Sequence, residues 1–152
     1  MDGLKFGQSG LYVITSLYLV WCEMRPPCEL VVRYVLPAFR SLVARELIEK
    51  YGFSQLAAAE RLGTTQAAIS YYLDSKRGDK RMEKLGMIPS VRSAASEVAE
   101  GVATDKFSVI DAMVIFCRLC MALRKRDVIC DFHKDFISVP DRCRICPDAS
   151  LK

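Results

Sequence analysis

An all-α fold is what this sequence predicts, and three observations carry the prediction. Apolar residues recur at helical spacing over successive stretches. Ser and Thr stand just ahead of those stretches, where helix N-termini need side-chain caps. Glycines follow them, where a left-handed residue closes a helix.

In order along the chain, Pro26-Pro27 marks a break, because a proline restricts the residue before it. From Cys28 to Tyr51 the apolar set Leu30, Val31, Tyr34, Val35, Ala38, Phe39, Leu42, Val43, Leu47 and Ile48 predicts a helix. Pro37 lies inside it and predicts a kink or a break. Gly52 ends the run. Ser54 caps a short helix from Gln55 to Leu62, Gly63 closes it, and Thr64 or Thr65 caps the next, Gln66 to Leu73. Asp74 to Arg81 is polar and basic and reads as a loop. Pro89-Ser90 opens a helix with Val91, Ala94, Ala95, Val98 and Val102 on one side. Ser108 and Asp111 form a capping pair ahead of a strongly apolar helix that ends in Arg124-Lys125-Arg126, a favourable charge for a helix C-terminus. That helix is apolar over most of its surface, which predicts a dimer interface. The tail from Asp127 onward shows no clear period.

The 152 residues suffice for one ordinary domain or for a small domain with an appendix. A 51% hydrophobic content is enough to bury a core, and a net charge of +4 permits a polyanionic partner without requiring one. Gly10 to Trp21 is apolar but shorter than the roughly 20 residues of a spanning helix. It also lacks the strong basic start and small-residue cleavage site of a signal peptide. No membrane association is expected, and the location read from the sequence is cytoplasmic.

The segment FSQLAAAERLGTTQAAISYYL carries the functional argument. Two short helices packed steeply across a tight turn need a small residue on the first helix, and Ala59 supplies it. They need a left-handed residue at the turn, and Gly63 supplies it. They need a branched apolar plug on the second helix, and Ile69 supplies it. Leu56, Leu62 and Leu73 are expected to complete the core. The unit reads as a DNA-binding helix-turn-helix. Its second helix would enter the major groove and present Thr65, Gln66, Ala67, Ser70 and Tyr71 to bases. Lys76, Arg77 and Lys80, just beyond it, would meet phosphates.

The stretch RPPCELVVRYVLPAFRSLVARELIEKYGFSQLAAAERLGTTQAAISYYLDSKRGDK resembles the N-terminal part of predicted archaeal transcriptional regulators with a lambda-repressor/Cro-type helix-turn-helix. The segments FCRLCMALRKRDVICDFHKDF and DRCRIC resemble their cysteine-rich tails. The resemblance covers roughly residues 24 to 146. It implies a lambda-repressor-like helical domain of about five helices over 24–88, homodimeric and bound to a palindromic double-stranded DNA site. A helical dimerisation and cysteine region over 89–152 would follow. It also implies a chain that begins near Met24, so residues 1–23 are expected to be an extension arising from start-site choice.

Seven cysteines are many for this length. Five of them fall late, as Cys117-x-x-Cys120, Cys130-x-x-His133 and Cys143-x-x-Cys146. Close thiol pairs suit zinc or an iron–sulfur cluster better than a disulfide framework, and these residues are the candidate metal ligands, in excess of the four that a tetrahedral site needs. A thiol–disulfide switch on the same residues is the third option, and Cys22 and Cys28 read as core residues. Enzyme chemistry has no support: His133 is the only histidine, and neither paired carboxylates nor a glycine-rich phosphate loop stands out. The rival reading is an antitoxin-like or other protein-interaction module on the same helical unit.

Overall fold

In the computed structural model, the structure describes residues 26–74, 80–136, 138, 140 and 143–148. The apolar stretch Gly10 to Trp21, Met24, Cys22, Lys76 and Arg77 lie outside the described residues. Every element among the described residues is helical, so the chain is all-α. No helix among them is long and apolar enough to cross a membrane.

The first helical run is continuous through Pro37. It consists of α1 (Pro27–Leu30), a π-helical turn (Val31–Val35) and α2 (Leu36–Glu49). The expected break at Pro37 does not occur. A proline in a helix removes one N–H and crowds the carbonyl four residues before it. Here the wider π turn lies just ahead of the proline, and the Leu36 N–H donates to the Val31 carbonyl across it.

Around this run pack α3 (Gln55–Arg61), α4 (Gln66–Asp74), α5 (Lys80–Met87), α6 (Pro89–Ala103), α7 (Val109–Lys125), α8 (Val128–Lys134) and α9 (Ile145–Asp148). Helix α2 is central: α6 lies along it, and α3, α4 and α5 contact it as well. Ser96 donates to the Glu46 carboxylate at 2.9 Å across the α2–α6 contact. The principal core joins Leu30, Val35, Val43 and Leu47 of the first run to Leu85, Val91, Val98, Leu123 and Ile129, so buried residues on both sides of residue 88 belong to one cluster.

Several local expectations are met in atomic detail. Gly52 and Gly63 take positive φ, +72° and +60°. Ile88 is the N-cap of a helix with Pro89 at its first position. Ser108 and Asp111 form a reciprocal capping box on α7.

Others are corrected. The polar segment after Asp74 is not a loop up to Arg81, because α5 begins at Lys80. The tail is helical where no period is visible: Asp127 turns the chain with φ +58°, and α8 follows at once. Leu56, expected in the core, is 54% exposed.

Candidate nucleic-acid-reading face and thiol junction

The first candidate site is the pair α3–α4. The Ser54 hydroxyl accepts from the Ala57 N–H at 3.1 Å and caps α3. The Thr64 N–H donates back to the Ala59 carbonyl at 2.9 Å, which closes α3 around left-handed Gly63. Thr65, not Thr64, caps α4, its hydroxyl accepting from the Ala68 N–H at 3.2 Å. With both helix starts and the turn between them specified locally, the angle of the pair follows from its small core.

That core is separate from the main one. Ala59 of α3 and Ile69 of α4 meet Ala44 of α2, with Ile48, Leu62, Tyr72 and Leu73 around them. Two alanines let three backbones approach closely, and Ile69 fills the space they leave. Ala59 and Ile69 were visible as a pattern. Ala44 was not, since an alanine inside a long helix carries no mark of what will pack against it.

The opposite face of α4 is open. Thr65, Gln66, Ala67 and Tyr71 are exposed. Ser70 is half-buried and its hydroxyl donates to the Asp74 carboxylate at 3.3 Å, so it is partly engaged within its own helix. Lys80 is exposed at the start of α5. An ion pair between Arg61 and Asp105 links α3 to the turn after α6.

The second candidate site is built from thiols. Cys28, Cys117, Cys120, Cys130, Cys143 and Cys146 are all free. Cys117 is exposed on α7, while Cys120 is half-buried one turn on. Cys130 of α8 and Cys146 of α9 are buried in the main core and in hydrogen-bond contact, the Cys130 thiol donating to Cys146. Of the last pair, Cys146 belongs to α9, whereas Cys143 stands just ahead of it, outside any helix. His133 is buried on α8, three residues from Cys130 and on the same face.

Burial favours the protonated form of three of these thiols, Cys120, Cys130 and Cys146. Burial pushes Cys120 up to about 11, with the neighbouring Cys117 adding to it and Arg124 opposing. Burial, then the Cys146 sulfur, pushes Cys130 up to about 11. Burial also raises Cys146, against the Cys130 hydrogen bond and the Arg124 charge. Thiols of this kind are poor nucleophiles in the absence of a metal. Among the described residues, no three His, Cys, Asp or Glu side chains converge closely enough to hold a metal ion in the arrangement seen. Candidate ligands Cys117, Cys120, Cys130, His133, Cys143 and Cys146 thus lie along α7, α8 and the start of α9 without closing on one point.

Sequence reasoning missed two members of this region. Arg124 donates through Nη2 to the Cys28 sulfur at 2.7 Å, which joins α7 to α1. Its charge also acts on Cys120 and Cys146. In the sequence, Arg124 read only as a helix-terminal charge and Cys28 as a core residue; Cys28 is in fact exposed.

No protein-family profile matches the chain, and no curated protein or solved structure resembles it at a significant level. The functional reading therefore rests on this chain's own residues.

Proposed function

We propose that the protein is a sequence-specific DNA-binding transcription regulator with a lambda-repressor-like helix-turn-helix. It works in the cytoplasm as a homodimer and carries a thiol-ligated zinc or iron–sulfur centre in its C-terminal region. The observation that carries this reading is the two-sidedness of α4. Ile69 is wholly buried against Ala44 and Ala59, while Thr65, Gln66, Ala67 and Tyr71 stand free on the other side. A helix fixed on one side and open at its N-terminal end suits insertion into a major groove. Gln66 has the amide geometry to pair bidentately with adenine, and Ala67 and the Thr65 methyl suit thymine methyl groups. Lys80, with Lys76 and Arg77, would follow the phosphates. The reading assigns no catalytic step.

Dimerisation is proposed through α7. This helix turns Leu119 and Leu123 into the core and leaves Val109, Ile110, Met113, Val114 and Met121 exposed. These residues follow one another at helical spacing along a single face. A two-fold pair would set its reading helices about 34 Å apart, one turn of DNA.

The test is a DNA-binding titration across salt concentrations. Gln66→Ala is expected to cost about 1–3 kcal/mol on the preferred site and little on random DNA. Replacing Arg77 and Lys80 together is expected to weaken binding to all sequences and flatten the salt slope. Wild-type behaviour in both variants overturns the assignment of α4. Sedimentation of Ile110→Asp is expected to give a monomer with weakened DNA binding; a dimer identical to wild type overturns the α7 interface.

The alternative, a protein-interaction module of antitoxin type, draws on Leu56 and Tyr71, which are 54% and 66% exposed on the α3–α4 unit. It predicts no salt-dependent retardation of DNA.

A further inference from the structure

A cleft of about 380 Å³ opens on the surface between the end of α5 and the outer side of α8. One wall carries Lys84 and Ile88, the other Val128, Asp131, Phe132 and Asp135. Both walls are fixed from behind. On α5, Leu85 is wholly buried, and Ile88 is extended as the N-cap of α6, with Pro89 directly after it. On α8, Ile129, Cys130 and His133 are buried, and the four cleft residues occupy the other side of the same helix. Helix α5 packs on α2, α6 and the π turn, whereas α8 packs on α1 and α7. The two walls are thus seated on different neighbours, and their packing does not fill the space between them.

The lining combines an apolar floor with a rim of both charges. Ile88, Val128 and Phe132 are half-buried, while Lys84, Asp131 and Asp135 are exposed. The two aspartates stand one turn apart on α8, across the cleft from the lysine. The ion pair of Asp131 runs within α8, to Lys134 at 3.9 Å, and does not span the cleft.

We propose that this cleft binds a free α-amino acid with an apolar side chain. The ligand's carboxylate pairs with Lys84, its ammonium with Asp131 and Asp135, and its side chain lies on Ile88, Val128 and Phe132. Other occupants match the lining less well. An anion alone would meet two carboxylates for one ammonium. A cation alone would sit beside the Lys84 charge. The interior of a peptide carries neither terminal charge. The volume is near the lower end of the range for small-ligand sites, about 300–1,000 Å³, which suits a single amino acid. Ion pairs at an exposed rim add little affinity, so the apolar floor supplies most of the binding and the rim supplies the selection. The site goes beyond the DNA-binding reading and does not depend on it, because no residue of α4 enters it.

The experiment is isothermal titration calorimetry of the full chain, without DNA, against L-leucine and L-phenylalanine. The comparison ligands are the amine that each gives without its carboxylate, the acid that each gives without its ammonium, and glycine. At least one of the two amino acids is expected to bind, and its amine, its acid and glycine to bind about tenfold more weakly or worse. Lys84→Met is expected to weaken the amino acid by about tenfold without weakening the amine. Asp131→Asn combined with Asp135→Asn is expected to weaken the amino acid and the amine without weakening the acid. These substitutions are at exposed positions, and circular dichroism checks that helicity stays at wild-type level. Absence of binding by both amino acids overturns the proposal. An amine or an acid that binds the wild-type chain as tightly as its amino acid overturns the ligand class. Folded variants that bind the amino acid as tightly as wild type overturn the assignment of the cleft.

Discussion

The α3–α4 unit and the thiol junction are opposite kinds of site. The first is assembled from residues close in sequence: Ser54, Ala59, Gly63, Thr65 and Ile69 each meet a local demand, and Ala44 and Ile48 of α2 come from outside. The second is assembled from α1, α7, α8 and α9, whose cysteines lie far apart along the chain. Local sites announce themselves, because capping and turn geometry act over a few residues. A non-local site depends on how helices stack, and spacing alone does not convey that.

The comparison is broken most severely at Ile69. It is fully buried where α2, α3 and α4 meet, so Ile69→Ala removes the plug of a core that has little else in it. The expected cost is about 2–5 kcal/mol, read as a fall in the thermal midpoint. If the α3–α4 unit is as self-contained as its small core indicates, hydrogen exchange should rise over residues 55–73 while Leu123 and Ile129 remain protected. Uniform loss of protection across both regions would show that the two cores unfold as one.

A smaller effect is expected at the start of α7. Ser108→Ala removes the hydroxyl that accepts from the Asp111 N–H at 3.3 Å and donates to the Asp111 carboxylate at 2.7 Å. The expected loss is about 0.5–2 kcal/mol, with fraying of the first turn rather than of the thiol junction at the other end of the helix. An unchanged urea midpoint would mean that α7 is held by its packing alone.

The smallest effect is the pH response of the same box. Hydrogen bonds from the Ser108 hydroxyl, and then from its backbone N–H, hold Asp111 below the usual carboxylate range. A lowered carboxylate stabilises the fold fully above its unfolded value of about 3.9 and loses that contribution as pH falls through the lower folded value. The first turn of α7 should therefore be indifferent to pH from neutrality down to about 5, and loosen only in stronger acid. Asp111→Asn should remove that acid sensitivity; an identical acid transition in the variant would assign it to other carboxylates.

Much of the α3–α4 unit was legible because its signals are short in range. Gly52 and Gly63 were readable since only glycine takes positive φ without cost, and the Ser54, Thr65 and Ser108 caps since an unpaired helix N-terminus needs an acceptor. Leu56 misled because an apolar residue on a short helix gives no sign of which side will be covered. Helix α8 was invisible because it is a few residues long and starts from an aspartate in the left-handed region instead of a conventional cap.

By itself, then, the sequence determined the all-α class, the turn at Gly63, the caps, and the residues that α4 would offer outward. Tertiary structure alone decided that α2 supplies Ala44 to seat α4. It decided that a π turn absorbs Pro37, and that α7 keeps one apolar face uncovered. It also decided that Cys28 stands against Arg124 beside the tail cysteines. The physical reason is range: backbone and capping energies depend on neighbours along the chain, whereas burial and charge pairing depend on what the folded chain brings near, and that is settled only when the helices pack.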